Sequence, residues 1–266
     1  YSISCEGYYF GNDENALDIS AEFKSNGTLH GSRTLSVLLG KDDRFYTVRI
    51  PVTIVTSEIS DLAQLNALLK SDVAGYAVYG YYKLIADIGK SADAVNNGND
   101  VNWQNVDGLF GFRGTLDGNG RSITGTVYSK GIFGIVGSGA VIKDLTVNAY
   151  GYANGRAILA RSIRNAVVEN VTINIKSGES VSYYTEGGVV TGLMSHSTAY
   201  RNVTVNSNGA VDTLFGCSYW NYDDRKANTF AEVKVNVKSI GGLLCVRSNV
   251  PETLRSIDGV EGITVS

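Results

Sequence analysis

Leu145-Thr146-Val147-Asn148 returns along the chain as Val171-Thr172-Ile173-Asn174, Val203-Thr204-Val205-Asn206, Val233-Lys234-Val235-Asn236 and Ile263-Thr264-Val265-Ser266. A weaker early copy is Ile123-Thr124-Gly125-Thr126. The first apolar residues stand at 123, 145, 171, 203, 233 and 263, in steps of 22, 26, 32, 30 and 30 residues. A recurrence at this period marks a solenoid, in which each coil buries its apolar face against the one before. Within each copy apolar and polar residues alternate and β-branched side chains dominate, so each reads as a strand with one buried face.

A second apolar piece precedes each copy. These pieces are Gly131 to Val136, Ala157 to Leu159, Gly187 to Val190, Leu214 to Cys217 and Gly241 to Cys245. Two or three strands per coil predict separate parallel sheets around one core, and six coils would span roughly 25–30 Å at the usual strand spacing. Asn148, Asn174, Asn206 and Asn236 hold the same place in four coils. Stacked amides hydrogen-bond up and down such an array, which predicts an interior or corner ladder with a structural role. The run from Phe112 to Gly120 contains Asp117 between closely spaced glycines, and reads as a tight corner in which Asp117 caps its own backbone.

Residues 1–56 read differently. Tyr1 to Phe10, Leu17 to Phe23, Thr34 to Leu39 and Tyr46 to Val55 are strand-like runs separated by turn-rich stretches, which predicts a small β-sandwich, complete or incomplete. Pro51 belongs at a strand edge or bulge, because it cannot donate to a ladder. Ser60 then opens a helix as N-cap, with Asp61 in the favourable first turn and Leu62, Leu65, Leu68 and Leu69 on one face. Residues 58–74 read as a cap over the first coil. Tyr79 to Ile88 reads as the first coil strand and 89–108 as a polar surface loop. The expected architecture is all-β: a small sandwich over 1–56, then a helical cap and a solenoid of parallel sheets over 57–266.

Composition narrows the function. The formal net charge is -3 and no basic cluster is present, which argues against nucleic acid and anionic membranes. No apolar run approaches the ~18 residues of a membrane span, so no membrane insertion is expected. The 31 Gly, 2 Pro and 16 Tyr suit a turn-rich β protein with an aromatic surface. Cys5, Cys217 and Cys245 form neither a disulfide framework nor a zinc site. Cys217 and Cys245 fall in successive repeats and read as stacked interior thiols, with a bridge as the other reading. Tyr1 opens directly into Ile3 and Cys5 without the order of a signal peptide, and Val265 lies on a repeat strand. The expectation is a mature or trimmed segment of a longer protein.

Residues 112–123, followed by the run from Gly131-Ile132-Phe133-Gly134 through Gly139-Ala140 to Asp144-Leu145-Thr146-Val147, resemble the GLUG-type repeats of bacterial surface proteins. The likeness covers 58–266, less clearly in later coils, which lose the Gly-Ala corner. It implies a right-handed parallel β-helix of the pectin-lyase-like class. It also implies a secreted or wall-attached protein, with immunoglobulin-like modules beside the β-helix. It implies no reaction, since the shared motifs are architectural.

The β-helix class includes polysaccharide lyases and glycosidases, so carboxylates matter. Hydrolysis needs two or three converging on one sugar bond. Asp117, Asp144, Glu169, Glu179, Glu186, Asp212, Asp223, Asp224 and Glu232 are scattered. Arg161, Arg164 and Arg201 lie on nearby coils without an acidic companion set, and His30 and His196 are far apart. No catalytic residue, metal ligand set or cofactor is assigned. Binding rests instead on aromatic stretches: Tyr183-Tyr184-Thr185-Glu186 and Tyr219-Trp220-Asn221-Tyr222-Asp223-Asp224-Arg225. Rings flanked by Asn, Asp and Arg suit sugar faces and protein anchors alike; the plainer reading packs them against the coils. The sequence therefore reads as a non-catalytic extracellular module for adhesion or carbohydrate binding, with a glycan or host-surface component as partner. A carbohydrate-active enzyme and a structural spacer are the alternatives.

Overall fold

The computed structural model describes residues 2–5, 8–11, 31–41, 44–71, 77–95, 111–127, 131–152, 157–176, 188–215, 228–244 and 263–266. Strands β1 (Ser2–Cys5), β2 (Tyr8–Gly11), β3 (Gly31–Lys41) and β4 (Arg44–Ile54) form one antiparallel sheet in the order β2-β1-β3-β4. The expected run from Tyr1 to Phe10 is thus two strands, with Cys5 opposite Tyr8. The expected strand from Leu17 to Phe23 lies outside the described residues, as do Cys217 and Cys245. Pro51 pairs across from Thr34 on β4, which lies at the end of this sheet's strand order, where its missing N–H costs no ladder bond.

From residue 57 onward every strand pairing among the described residues is parallel. Strand β5 (Ser57–Ile59) leads into helix α1 (Leu62–Ser71), followed by β6 (Ala77–Val78), β7 (Tyr81–Leu84) and β8 (Ala94–Val95). The next coil carries β9 (Gly111–Phe112), β10 (Thr115–Asp117) and β11 (Ser122–Val127). Then come β12 (Phe133–Val136) with β13 (Val141–Tyr152), β14 (Ala160–Arg164) with β15 (Val167–Ile175), and β16 (Thr191–His196) with β17 (Ala199–Ser207). Strands β18 (Ala210–Phe215), β19 (Thr229–Ala231), β20 (Val233–Asn236), β21 (Ser239–Leu244) and β22 (Ile263–Val265) complete the order.

One sheet stacks β5, β7, β10, β13, β15, β17, β20 and β22 in succession, and a second stacks β6, β9, β12, β14, β16, β18 and β21. This is a parallel β-helix. Eight strands about 4.8 Å apart make the long sheet roughly 34 Å from first to last. The repeated phrase is what aligns: Leu145 pairs with Val171 and Val171 with Val203, while Val147, Ile173, Val205 and Val235 form one row. Their alternation sends one set of side chains inward on every rung. Leu116, Ile142, Val168 and Tyr200 make a fully buried interior column in register. It closes on Phe230, whose ring stacks on Tyr200 at 5.6 Å. Burying each such side chain contributes about 1.5–3 kcal/mol.

The long strands bend at one left-handed residue per coil. Asn119, Asp144, Asn170, Asn202 and Glu232 have φ of 51°, 52°, 53°, 48° and 58°, and each of the last four directly precedes the first apolar residue of a repeated phrase. Asn and Asp enter this conformation more readily than other non-glycine residues. Here the bend is also bonded from rung to rung, with Asn170 donating to Asp144 Oδ1 at 2.8 Å and Asn202 to Asn170 Oδ1 at 2.9 Å.

The second amide column is the one expected from the repeats. Asn148 donates to Thr124 Oγ1 at 3.2 Å, Asn174 to Asn148 at 3.0 Å, Asn206 to Asn174 at 2.8 Å, and Asn236 to Asn206 at 2.8 Å. The Ser266 hydroxyl ends the column on Asn236 Oδ1. The column lies on the outer face rather than inside, because each Asn follows an inward β-branched residue by one position.

Four local readings are corrected. The helix is capped by Asp61, not Ser60: the Gln64 N–H donates to Asp61 Oδ1 at 2.8 Å, and the Gln64 side chain accepts from the Ser60 N–H at 2.7 Å. The solenoid sheet also begins before the helix, since β5 pairs with β7; Leu65 and Leu69 are buried over that first coil. Tyr79 to Ile88 is split, because Gly80 has φ 134° and β6 and β7 belong to different sheets. Within the expected surface loop, Ala94–Val95 is a strand and Val95 is fully buried. The apolar pieces Ile158-Leu159 and Val189-Val190 are buried turns feeding β14 and β16, stacked through Ile158 N–H to Val189 O at 2.8 Å.

Asp61→Ala therefore costs about 1 kcal/mol of helix stability, and Ser60→Ala clearly less. Chemical denaturation of the two variants, compared at equal slope, checks the assignment.

Candidate functional site

The passage from the short sheet into the long one is a corner built from small residues. Gly80, Gly114, Ala140, Ala166, Thr198 and Asn228 each stand immediately before a long-sheet strand. Five rung-to-rung bonds tie them: Thr115 N–H to Gly80 O, Val141 to Gly114, Val167 to Ala140, Ala199 to Ala166 and Thr229 to Thr198, at 2.8–3.0 Å. The stacking is close, and a Cβ on Gly114 would collide with the Gly80 backbone. One residue earlier, Gly139, Asn165 and Ser197 repeat a positive φ of 83°, 46° and 53°. The corner that later coils were expected to lose is thus kept as a conformation while its letters change from Gly-Ala to Asn-Ala and Ser-Thr.

Small side chains at a bend leave a hollow. An open groove of about 450 Å³ runs over this corner. Gly139, Asn165 and Ser197 form one wall; Ala140, Ala166 and Thr198 lie along its floor; Val167, Ala199 and Thr229 form the other side. None of these side chains is charged. Asn165 spends one amide N–H on Ser138 Oγ at 3.3 Å. Asn228 fixes the far end, accepting from the Thr198 N–H and donating to Ser195 O, both at 3.2 Å.

Beside the groove runs a column of alternating charge. Glu58 pairs with Lys83, Lys83 with Asp117, Asp117 with Lys143, Lys143 with Glu169, and Glu169 with Arg201 in strand register. Lys143 Nζ lies 3.2 Å from both Asp117 Oδ2 and Asp144 Oδ2, and Arg201 lies 3.8 Å from Glu169. Arg201 does have an acidic companion, contrary to the sequence reading; strand register, invisible in linear spacing, supplies it. Asp117 caps its own backbone as expected, taking the Asn119 N–H at 2.8 Å. Its second oxygen, unassigned by the sequence, takes the Tyr81 hydroxyl and Lys143.

These contacts set the protonation states. Burial raises Asp117, but the bonds from Tyr81, Asn119 and Lys143 outweigh it and hold the carboxyl below its ordinary range. Burial lowers Lys143, and its bonds to Asp117 and Asp144 reverse this and leave it above its ordinary value. Burial and the bond to Asp117 raise Tyr81. All three groups are displaced away from neutrality. A general acid or base works best with a pKa near the operating pH; here Asp117 and Lys143 stay charged and paired while Tyr81 stays a neutral donor.

Tyr183, Tyr184, Tyr219, Trp220, Tyr222, Asp223, Asp224 and Arg225 lie outside the described residues, with Glu179, Glu186 and His30. Their anchors show that the two aromatic stretches enter the coil at different passages. One connects the end of β15 to the turn before β16; the other connects β18 to β19. Arg161 and Arg164 are buried on β14. Among the described residues no three His, Cys, Asp or Glu side chains gather into a set able to hold a metal ion, and no helix is long and apolar enough to cross a membrane. The groove residues escaped the sequence reading, although the small residues before β7, β10, β13, β15 and β17 were a visible signal.

No family model, curated protein or solved structure matches the chain.

The ionised Asp117 adds stability above its ordinary 3.8, and that contribution is lost as the pH falls through its lower folded value. Lys143 adds stability below its ordinary 10.5, lost as the pH rises through its higher folded value. Asp117→Asn should therefore be less stable than the wild type at pH 7 and lose stability less steeply below pH 3.8. Thermal unfolding across pH checks this, and parallel acid limbs would contradict it.

Proposed function

We propose that this chain is a non-catalytic recognition module of an extracellular, surface-attached protein that adheres to a glycan or another cell-surface component. The observation that carries the reading is an uncharged open groove beside a charge column in which Asp117 pairs with Lys143 and Glu169 with Arg201. A groove of this size, mixing small apolar surface with amide and hydroxyl groups, suits a ligand with hydroxyls and C–H faces. The neighbouring ionisable groups support recognition over a lyase or hydrolase, since Asp117, Lys143 and Tyr81 are each pushed out of the range useful for proton transfer. The likeness to GLUG-type repeats supports the surface setting. Tyr183, Tyr184, Tyr219, Trp220, Tyr222, Asp223, Asp224 and Arg225 are proposed to add aromatic and polar contacts to the same partner.

A glycan array and polysaccharide pull-down, run with assays for new reducing ends and unsaturated sugars, tests the reading. Wild-type protein binds a subset of glycans without releasing product. Trp220→Ala and Tyr222→Ala each weaken that binding about tenfold, the loss of one anchoring contact of ~1.4 kcal/mol. Product release would overturn the reading and return the search to the carboxylates.

A further inference from the structure

We infer that the corner groove holds a single neutral, unbranched polysaccharide chain lying along the solenoid axis, its successive residues meeting successive rungs. The inference rests on the recognition reading and adds the place, direction and charge of the ligand.

Direction follows from how the groove is made. Its lining comes from four successive coils in three stacked rows, Gly139-Asn165-Ser197, Ala140-Ala166-Thr198 and Val167-Ala199-Thr229. Three rung steps of about 4.8 Å give a trough about 14 Å long. A compact ligand would meet one or two rungs, whereas an extended polymer meets three equivalent positions along each row. The trough is also held ready. Gly139 N–H donates to Asn165 O at 2.9 Å, and the floor bonds from Val167, Ala199 and Thr229 continue rung to rung. A preorganised site loses little to ordering on binding.

Charge follows from the lining and its flank. The lining residues carry no charge. The nearest charged positions along the same strands, Glu169 and Arg201, stand two residues beyond Val167 and Ala199 and are paired at 3.8 Å. Among the described residues Arg113 brings a cation to one end of the trough, where its Nε donates to Ser138 O at 3.3 Å and its guanidinium lies over the Tyr79 ring. Along the rest an anionic polymer would bring carboxylates against Ala and Val surface, and burying such a group unpaired is costly. A neutral sugar suits the site. Its C–H faces rest on Val167 and Ala199. Its hydroxyls reach the Asn165 amide, which has a second N–H and a carbonyl oxygen beyond its bond to Ser138, and the exposed Thr229 hydroxyl.

Calorimetric titration with cellohexaose, laminarihexaose and mannohexaose, beside oligogalacturonate of the same length, tests this. Ala199→Gln fills the trough from a half-buried position, and Asn165→Gly removes the amide while keeping a residue suited to its φ of 46°. Thr204→Lys, on the other segment of the long sheet, is the control, because Lys234 already occupies the next rung of that row. The expected result is binding of at least one neutral hexasaccharide, weakened about tenfold by either groove variant, unchanged in the control and absent for oligogalacturonate. Binding unaffected by both groove variants would overturn the groove while leaving the recognition reading standing. Tighter binding of oligogalacturonate would overturn the neutral ligand, and no hexasaccharide or polysaccharide binding at all would overturn both. Circular dichroism melts of each variant separate a blocked groove from an unfolded one, and Asn165→Gly decides the matter if Ala199→Gln does not fold.

Discussion

Register is the constraint on which this molecule depends. In a parallel stack each rung takes its backbone bonds from the rungs on either side, so a one-residue slip would turn every inward side chain outward. The left-handed residues at Asn119, Asp144, Asn170, Asn202 and Glu232 meet this demand. Each turns the strand at the same place, and the amides of Asn170 and Asn202 tie the bend to the coil before it. The spacing between the phrases varies from 22 to 32 residues, yet the repeated strands stay in register.

Register also writes the surface. A residue type repeated on successive coils becomes a straight column, and the columns differ in what they do. Asn148, Asn174, Asn206 and Asn236 bond to one another along the outer face. Six residues from Glu58 to Arg201 alternate in sign at rung spacing, and ion pairs join Asp117 to Lys143 and Glu169 to Arg201. Small residues at the other corner leave a trough where larger ones would have filled the bend. Two of these columns hold the stack together. The third leaves a space, and a space is where a ligand can be received.

The architecture was legible because it depends on repetition. Alternating β-branched residues at a recurring period announce stacked strands, and four aligned asparagines announce a ladder. What the sequence hid depends on which residues of different coils become neighbours. Asp117 and Lys143 stand 26 positions apart, and Glu169 and Arg201 stand 32 apart, so their pairing emerges only once the register is known. The groove was hidden for a related reason: its corner conserves a backbone angle while the residues change from Gly139 to Asn165 to Ser197. Ser60 and Asp61 were confused because both are good caps, and only the bond from Gln64 separates them. The aromatic stretches were the plainest binding signal in the sequence, whereas the groove among the described residues is lined by small and polar side chains such as Ala140, Gly139 and Asn165.

Spin labels on adjacent rungs test the register most directly. Nitroxides placed by Thr172→Cys and Thr204→Cys, which pair across β15 and β17, should lie one strand spacing apart, about 5 Å between backbones. In a background with the native cysteines replaced, the account predicts a spectrum dominated by spin–spin interaction for the double variant and sharp, independent spectra for each single variant. A double-variant spectrum equal to the sum of the singles would contradict the stack, and with it the columns, the groove and the function drawn from them.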